Sequence, residues 1–155
     1  MNLKFHPGTT EYLEVLEPRF NEVDSYRIVH HSVYLCWFEA ARMRYARRLG
    51  IEIRDLLERD LCFVLSSCQV KFISPVKLGM QVKVTCSLVH RALAKLVFYQ
   101  TIQNQVNGQL LIEAQIEIVI VNAANGMQPV FLLPNEVEDA LKIENRKQVF
   151  QNTRS

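Results

Sequence analysis

The sequence predicts an α+β fold in which an antiparallel sheet packs its apolar face on one long helix. Three observations lead there. From His31 onward, Tyr34, Trp37, Phe38, Ala41, Tyr45 and Leu49 recur at helical spacing. Downstream, long runs alternate apolar and polar residues with the period of a half-buried strand. The order is strand, long helix, short helix, then four consecutive strands.

Tyr12 to Phe20 reads as the first strand, and a polar loop follows to about His30. The helix predicted from His31 runs for about 18 residues. Arg47 and Arg48 suit the negative end of its dipole, and Gly50 suits the position just past its end. A short helix is expected from about Ile53 to Arg59. Cys68, Val70 and Phe72 alternate with Gln69 and Lys71, and Val82, Val84, Cys86 and Leu88 alternate with Gln81, Lys83, Thr85 and Ser87. A third run carries Leu96 and Phe98 to about Gln103. Leu110, Ile112, Ala114, Ile116, Ile118 and Ile120 form one face of a fourth. Asn107-Gly108 predicts a type I′ hairpin turn before it. Ser74-Pro75 and Lys77-Leu78-Gly79 mark another turn. Residues 136–144 are expected to form a terminal helix, and residues 145–155 a frayed tail.

The 155 residues fit a single domain spanning 1–155, with its core at about 11–134. Eighteen basic against sixteen acidic residues leave a net charge of +2, too little to point to nucleic acid. No apolar run approaches the roughly 20 residues of a membrane span, and the N-terminal residues lack a signal-peptide core. A cytoplasmic protein is the expectation. Cys36, Cys62, Cys68 and Cys86 form no CxxC pair and read as small buried hydrophobes. Adjacent His30 and His31 cannot share a helix face as zinc ligands do, so no metal site is expected. A sheet of five strands leaves exposed edges, and edge pairing with a second copy would cover one of them.

One stretch carries chemistry. It reads Asp24-Ser-Tyr-Arg-Ile28-Val29-His30-His31-Ser-Val-Tyr34, then Trp37-Phe38-Glu39-Ala-Ala41-Arg42. Together with Val70-Lys-Phe72-Ile-Ser-Pro75-Val-Lys-Leu-Gly79, it resembles the hot-dog fold acyl-CoA thioesterases of the 4-hydroxybenzoyl-CoA thioesterase/YbgC-like group. The resemblance covers about residues 11–134. It implies a five-stranded antiparallel sheet wrapped around a long central helix. It also implies a homodimer or homotetramer with sites at the subunit interface. Tyr26 and Arg27 stand where that family commonly has Gly, and Met80 stands where an acid is common.

Hydrolysing a thioester takes a carboxylate that attacks the carbonyl or deprotonates water. It also takes a donor where negative charge develops on the carbonyl oxygen. The sequence puts Asp24 on the loop leading into a helix N-terminus, whose free amides and dipole supply such a donor. The resemblance assigns the carboxylate role to Asp24 and the donor role to the backbone near His31. The expected reaction converts an acyl or aroyl thioester to free acid and coenzyme A, with no cofactor beyond the coenzyme A of the substrate. An acyl carrier protein is the other possible donor. Tyr34 is a pocket-lining or core residue. Arg91 and Lys95 are candidate phosphate contacts. Asp24 read as a loop carboxylate bonding its own backbone is the plainer account. Glu39 is a rival carboxylate, although an ion pair with Arg42 one turn on explains it more simply. Arg42, Arg44, Arg47 and Arg48 read either as a phosphate-facing run or as a solvated helix face. The alternative function is a non-catalytic module that binds an acyl-CoA or acyl carrier protein.

Overall fold

The computed structural model describes residues 12–141. The elements follow the predicted order: β1 (Tyr12–Leu16), a 3₁₀ turn at Phe20–Glu22, α1 (His31–Arg48), α2 (Ile53–Leu57), β2 (Leu61–Phe72), β3 (Val82–Ala92), β4 (Lys95–Asn104), β5 (Leu110–Asn122) and a short β6 (Gln128–Pro129). Residues 135–141 are helical (α3). The predicted frayed tail and the last residues of the predicted terminal helix lie outside the described residues. The antiparallel sheet runs β1-β3-β4-β5-β2, with β6 added beside the end of β5. No helix among the described residues is long and apolar enough to cross a membrane.

α1 lies over β3 and β1. It buries Tyr34, Trp37, Phe38, Ala41 and Tyr45, the stripe its spacing predicts. Its C-terminus closes as a Schellman motif: Gly50 N–H donates to the Arg47 carbonyl at 2.9 Å and Ile51 N–H to Ala46 at 3.0 Å. Gly50 has φ +83°, which an L side chain rarely adopts. Beneath the helix, the inward residues of the sheet include Val82, Val84, Cys86, Ile102, Ile112, Ile116 and Ile120, all at most 1% exposed.

One polar side chain lies deep in this apolar layer. Gln100 of β4 is fully buried; its Nε2 donates to the Phe38 carbonyl at 3.0 Å, and its Oε1 accepts from Arg42 Nη1 at 2.7 Å. Both ends of the amide are satisfied, as a buried polar group requires. The pair ties the middle of α1 to the centre of the sheet.

Three expectations need correction. β1 stops at Leu16 because Pro18, with no N–H, cannot extend the ladder. The β4–β5 connection is not a type I′ turn, since only Gly108 has positive φ, at +71°. Instead, Asn104 Oδ1 accepts from Val106 and Asn107 N–H, and Gly108 N–H closes a four-residue loop onto the Asn104 carbonyl. Cys36 is exposed on the outer face of α1, although Cys86 is buried as predicted.

β2 is longer than its alternating part. Phe63 and Leu65 register with Ile120 and Ile118, whereas Cys68, Val70 and Phe72 register with Ile116, Ala114 and Ile112. The inward positions switch from odd to even across a bulge between Leu65 and Ser67. Ser66 fills it, and its Oγ donates to Glu117 Oε1 at 2.8 Å.

Two outcomes are expected. Gln100→Leu removes the acceptor of the Arg42 guanidinium and should destabilise the protein by about 2 kcal/mol in urea unfolding. On the opposite sheet face, burial and the hydrogen bond to Glu113 push the Tyr99 phenol up to about 12. A raised phenol stabilises the fold fully below its unfolded value near 10, and that contribution falls as pH rises from about 10 to 12. Tyr99→Phe should therefore flatten the loss of thermal stability across this alkaline window.

Candidate active site

Residues 23–29 form a small hairpin ahead of α1. Val23 and Val29 pair as an antiparallel bridge. Asp24 N–H donates to the Ile28 carbonyl and Arg27 N–H to the Asp24 carbonyl, both at 2.9 Å. Arg27 takes φ +62°, the left-handed conformation that closes this kind of loop. This is a backbone conformation that glycine adopts freely and that a side chain such as Arg rarely takes.

The hairpin is anchored on both sides. Val29 N–H donates to the Val76 carbonyl at 2.9 Å, and Ile28 bridges Lys77. His30 N–H donates to the Glu22 carbonyl at 2.9 Å. The Glu22 carboxylate accepts from Trp37 Nε1 at 3.1 Å and from Arg19 N–H at 2.7 Å. Glu22 thus ties the loop to α1, a role its polar neighbourhood in the sequence does not signal.

Asp24 is half-buried, and its Oδ1 accepts from Tyr26 N–H at 2.8 Å. The plainer account of this carboxylate, a bond to its own loop, is present in the structure. It also holds the carboxylate in place. Asp24, His31 and Tyr34 line one open cleft of about 390 Å³, with Tyr26, Phe72 and Pro75 among its walls.

At the helix start, His30 caps with an imidazole, Nδ1 accepting from Ser32 N–H at 3.3 Å. Val33 N–H returns to the His30 carbonyl at 2.9 Å. Among the described residues the His31 N–H takes no partner, which leaves it the open donor at the positive end of the helix. The exposed His31 side chain stands at the same cleft.

Tyr34 is both core and cleft wall. It is 3% exposed, and its hydroxyl oxygen accepts from Val76 N–H at 3.1 Å. Burial raises the phenol above its ordinary value and the Asp24 charge adds to this, while the Val76 hydrogen bond opposes it. The phenol therefore stays protonated and remains a donor.

The other predicted residues lie elsewhere. Arg91 pairs with Glu138 at 2.8 Å and Lys95 with Glu117 at 3.0 Å. Lys95 registers with Val119, seven residues along β5 from Ile112 at the cleft, about 23 Å at the strand rise. Within the chain, neither lines the cleft. Glu39 is two helical turns past His31, about 12 Å, and lines a separate apolar cavity with Tyr45, Phe63 and Phe98. Arg42 turns to Gln100 rather than forming the expected ion pair with Glu39. Arg44 pairs with Glu14 and Arg47 with Glu52, as on a solvated helix face.

Asp24 and His31, the first residue of α1, thus line one cleft with mostly apolar walls. The profile of the Thioesterase-like superfamily matches residues 18–142. The chain belongs to that family, and with it to the class of thioester hydrolases. Acyl-CoA thioesterase YbgC of Haemophilus influenzae is 29% identical over 122 residues, which are 78% of this chain and 87% of that protein. The chloroplastic acyl-acyl carrier protein thioesterase ATL3 of Arabidopsis thaliana is 25% identical over 115 residues, 74% of this chain; the chain spans only 60% of that relative. The DHNA-CoA thioesterase of Staphylococcus aureus shares the hot-dog fold with a TM-score of 0.79 and 21% identity, over 93% of this chain and 95% of that one.

Arg27→Gly should raise stability by about 1 kcal/mol, because glycine carries no Cβ penalty at positive φ. Arg27→Val should lower it. Thermal melts of the two variants check the pair.

Proposed function

We infer that the chain hydrolyses an acyl thioester of coenzyme A or of an acyl carrier protein. Asp24 acts as nucleophile or general base, and the His31 amide receives the carbonyl oxygen. The observation that carries this reading is the shared cleft: the Asp24 carboxylate, the His31 helix start and the Tyr34 phenol line it together. Negative charge builds on the carbonyl oxygen as the tetrahedral state forms. A preset amide at a helix start, in a cleft with apolar walls, stabilises that charge more than water does. The tether from Tyr26 N–H keeps the carboxylate from swinging into solvent. The relatives named above support the thioester, and their two kinds of donor leave both coenzyme A and carrier protein as substrates.

The protein acts as an oligomer in this reading. β2 is a sheet edge 12 residues long, and Leu65, Phe72 and Ile73 on or next to it are 45–54% exposed. Long apolar edges call for a partner strand. Phe72 and Ile73 also line the cleft, so a second copy paired on β2 would abut the site.

Asp24→Asn keeps a side-chain oxygen for the Tyr26 amide while removing the charge. It should fold as the wild type does and lose at least about a hundredfold in turnover. Thiol release from a panel of acyl-CoAs and acyl carrier proteins measures this. Wild-type rates in the variant would discard Asp24 as the reacting carboxylate. Binding without thiol release by the wild type, on every substrate, would point to the module instead.

A further inference from the structure

Three large apolar side chains project into solvent at one end of the sheet. Leu93 is 77% exposed, Phe131 91% and Leu132 80%. Leu93 and Phe131 wall the same two surface clefts, and Leu132 joins them in one. Together they form a patch on the order of 500 Å², a size that marks a contact surface rather than scattered apolar residues.

The backbone holds this patch out. Leu93 opens the two-residue turn between β3 and β4. It takes φ +50°, a conformation better suited to Asn or Gly. Pro129 and Pro134, with fixed φ, bracket the second segment. Within it Val130 and Leu133 pack against the core, while Phe131 and Leu132 are exposed. One residue of β5 ties both segments together: Ile120 N–H donates to the Ala94 carbonyl at 2.9 Å, and the Ile120 carbonyl accepts from Val130 N–H at 3.0 Å. Neither core packing nor backbone preference explains these side chains, which is a reason to ask what they meet.

We propose that Leu93, Phe131 and Leu132 are a docking tip that inserts into the interfacial layer of a lipid bilayer. The patch is small for a protein partner, since a stable protein contact buries roughly 800 Å² on each side. Projecting side chains need no complementary pocket in a fluid surface, where burial of their apolar area drives binding. The charges beside the patch select no charged partner: Arg91 pairs with Glu138 and Lys95 with Glu117. Asn125, Gln128 and Asn135 add uncharged polar groups around the tip, which suit the headgroup layer. Val119, opposite Lys95 beside the tip, is about 23 Å along β5 from Ile112 at the Asp24 cleft, so a docked protein keeps the cleft clear of the membrane.

Flotation of the full chain with vesicles of pure phosphatidylcholine tests the tip. The wild type should bind these neutral vesicles, and added salt should change little, because the insertion is apolar. Phe131→Ser and Leu132→Ser should each cut the partition coefficient about tenfold. Leu93→Asn, whose new side chain tolerates the turn, should do the same. All three replace exposed side chains away from the cleft, so thermal melts and thiol release from a short-chain acyl-CoA should match the wild type. No flotation of the wild type, or variants that float as well as it does, overturns the proposal. So does binding confined to anionic phosphatidylglycerol vesicles and lost in salt, which belongs to a cationic surface. Sedimentation velocity covers the other occupant: a variant that changes the oligomer while no form binds vesicles assigns the patch to a second copy and overturns the membrane reading. The tip stands apart from the thioester chemistry, since a chain that floats yet releases no thiol keeps the tip and loses the role of Asp24.

Discussion

The burial of one aromatic stripe determines where the start of α1 stands. Tyr34, Trp37 and Phe38 leave water only if α1 lies on the sheet at a set rotation. Gln100 locks that placement at mid-helix through the Phe38 carbonyl and Arg42. Once the helix is fixed, so is its N-terminus, and a helix start cannot satisfy its own first amides. His30 and Val33 consume part of that deficit locally. The His31 amide takes no partner among the described residues, and His31 lines the cleft.

The carboxylate is delivered to the same place by backbone bonds. Residues 23–29 fold back as a hairpin, seated on Val76 and Lys77 on one side and on Glu22 on the other. Glu22 in turn holds Trp37, a member of the buried stripe. The carboxylate and the amide are therefore positioned by overlapping contacts, and a shift of α1 would disturb both. Tyr34 links the same parts from inside, since its ring is core and its oxygen bonds the Val76 amide.

Much of this was legible in the chain. The limits of α1 followed from its period and from Gly50, because a Schellman end requires a residue tolerant of positive φ. β3 and β5 alternate cleanly and were read correctly. The first half of β2 was missed because Leu61 to Leu65 is a continuous apolar run and the bulge at Ser66 reverses the phase. Asn107-Gly108 misled because Asn104, three residues earlier, captures the loop amides with its own side chain. Asp24, His31 and Tyr34, singled out together in the sequence, line one cleft, whereas Arg91 and Lys95, placed by charge alone, are paired with Glu138 and Glu117 and do not line it.

By itself, the sequence determined the class of fold, the long helix with its buried stripe, and a lone acid ahead of that helix. These are properties of periodicity and of local backbone preference, which neighbours in the chain express. Only the tertiary structure decided that Phe72, Ile73 and Pro75 form the far wall of the cleft, that Glu22 anchors the loop, and that Arg27 takes a glycine-like conformation beside Lys77, which forms no ion pair among the described residues. Those relations join residues some 15 to 50 positions apart. They arise from how the loop, the helix and the sheet fold onto one another, which no local pattern of side chains encodes.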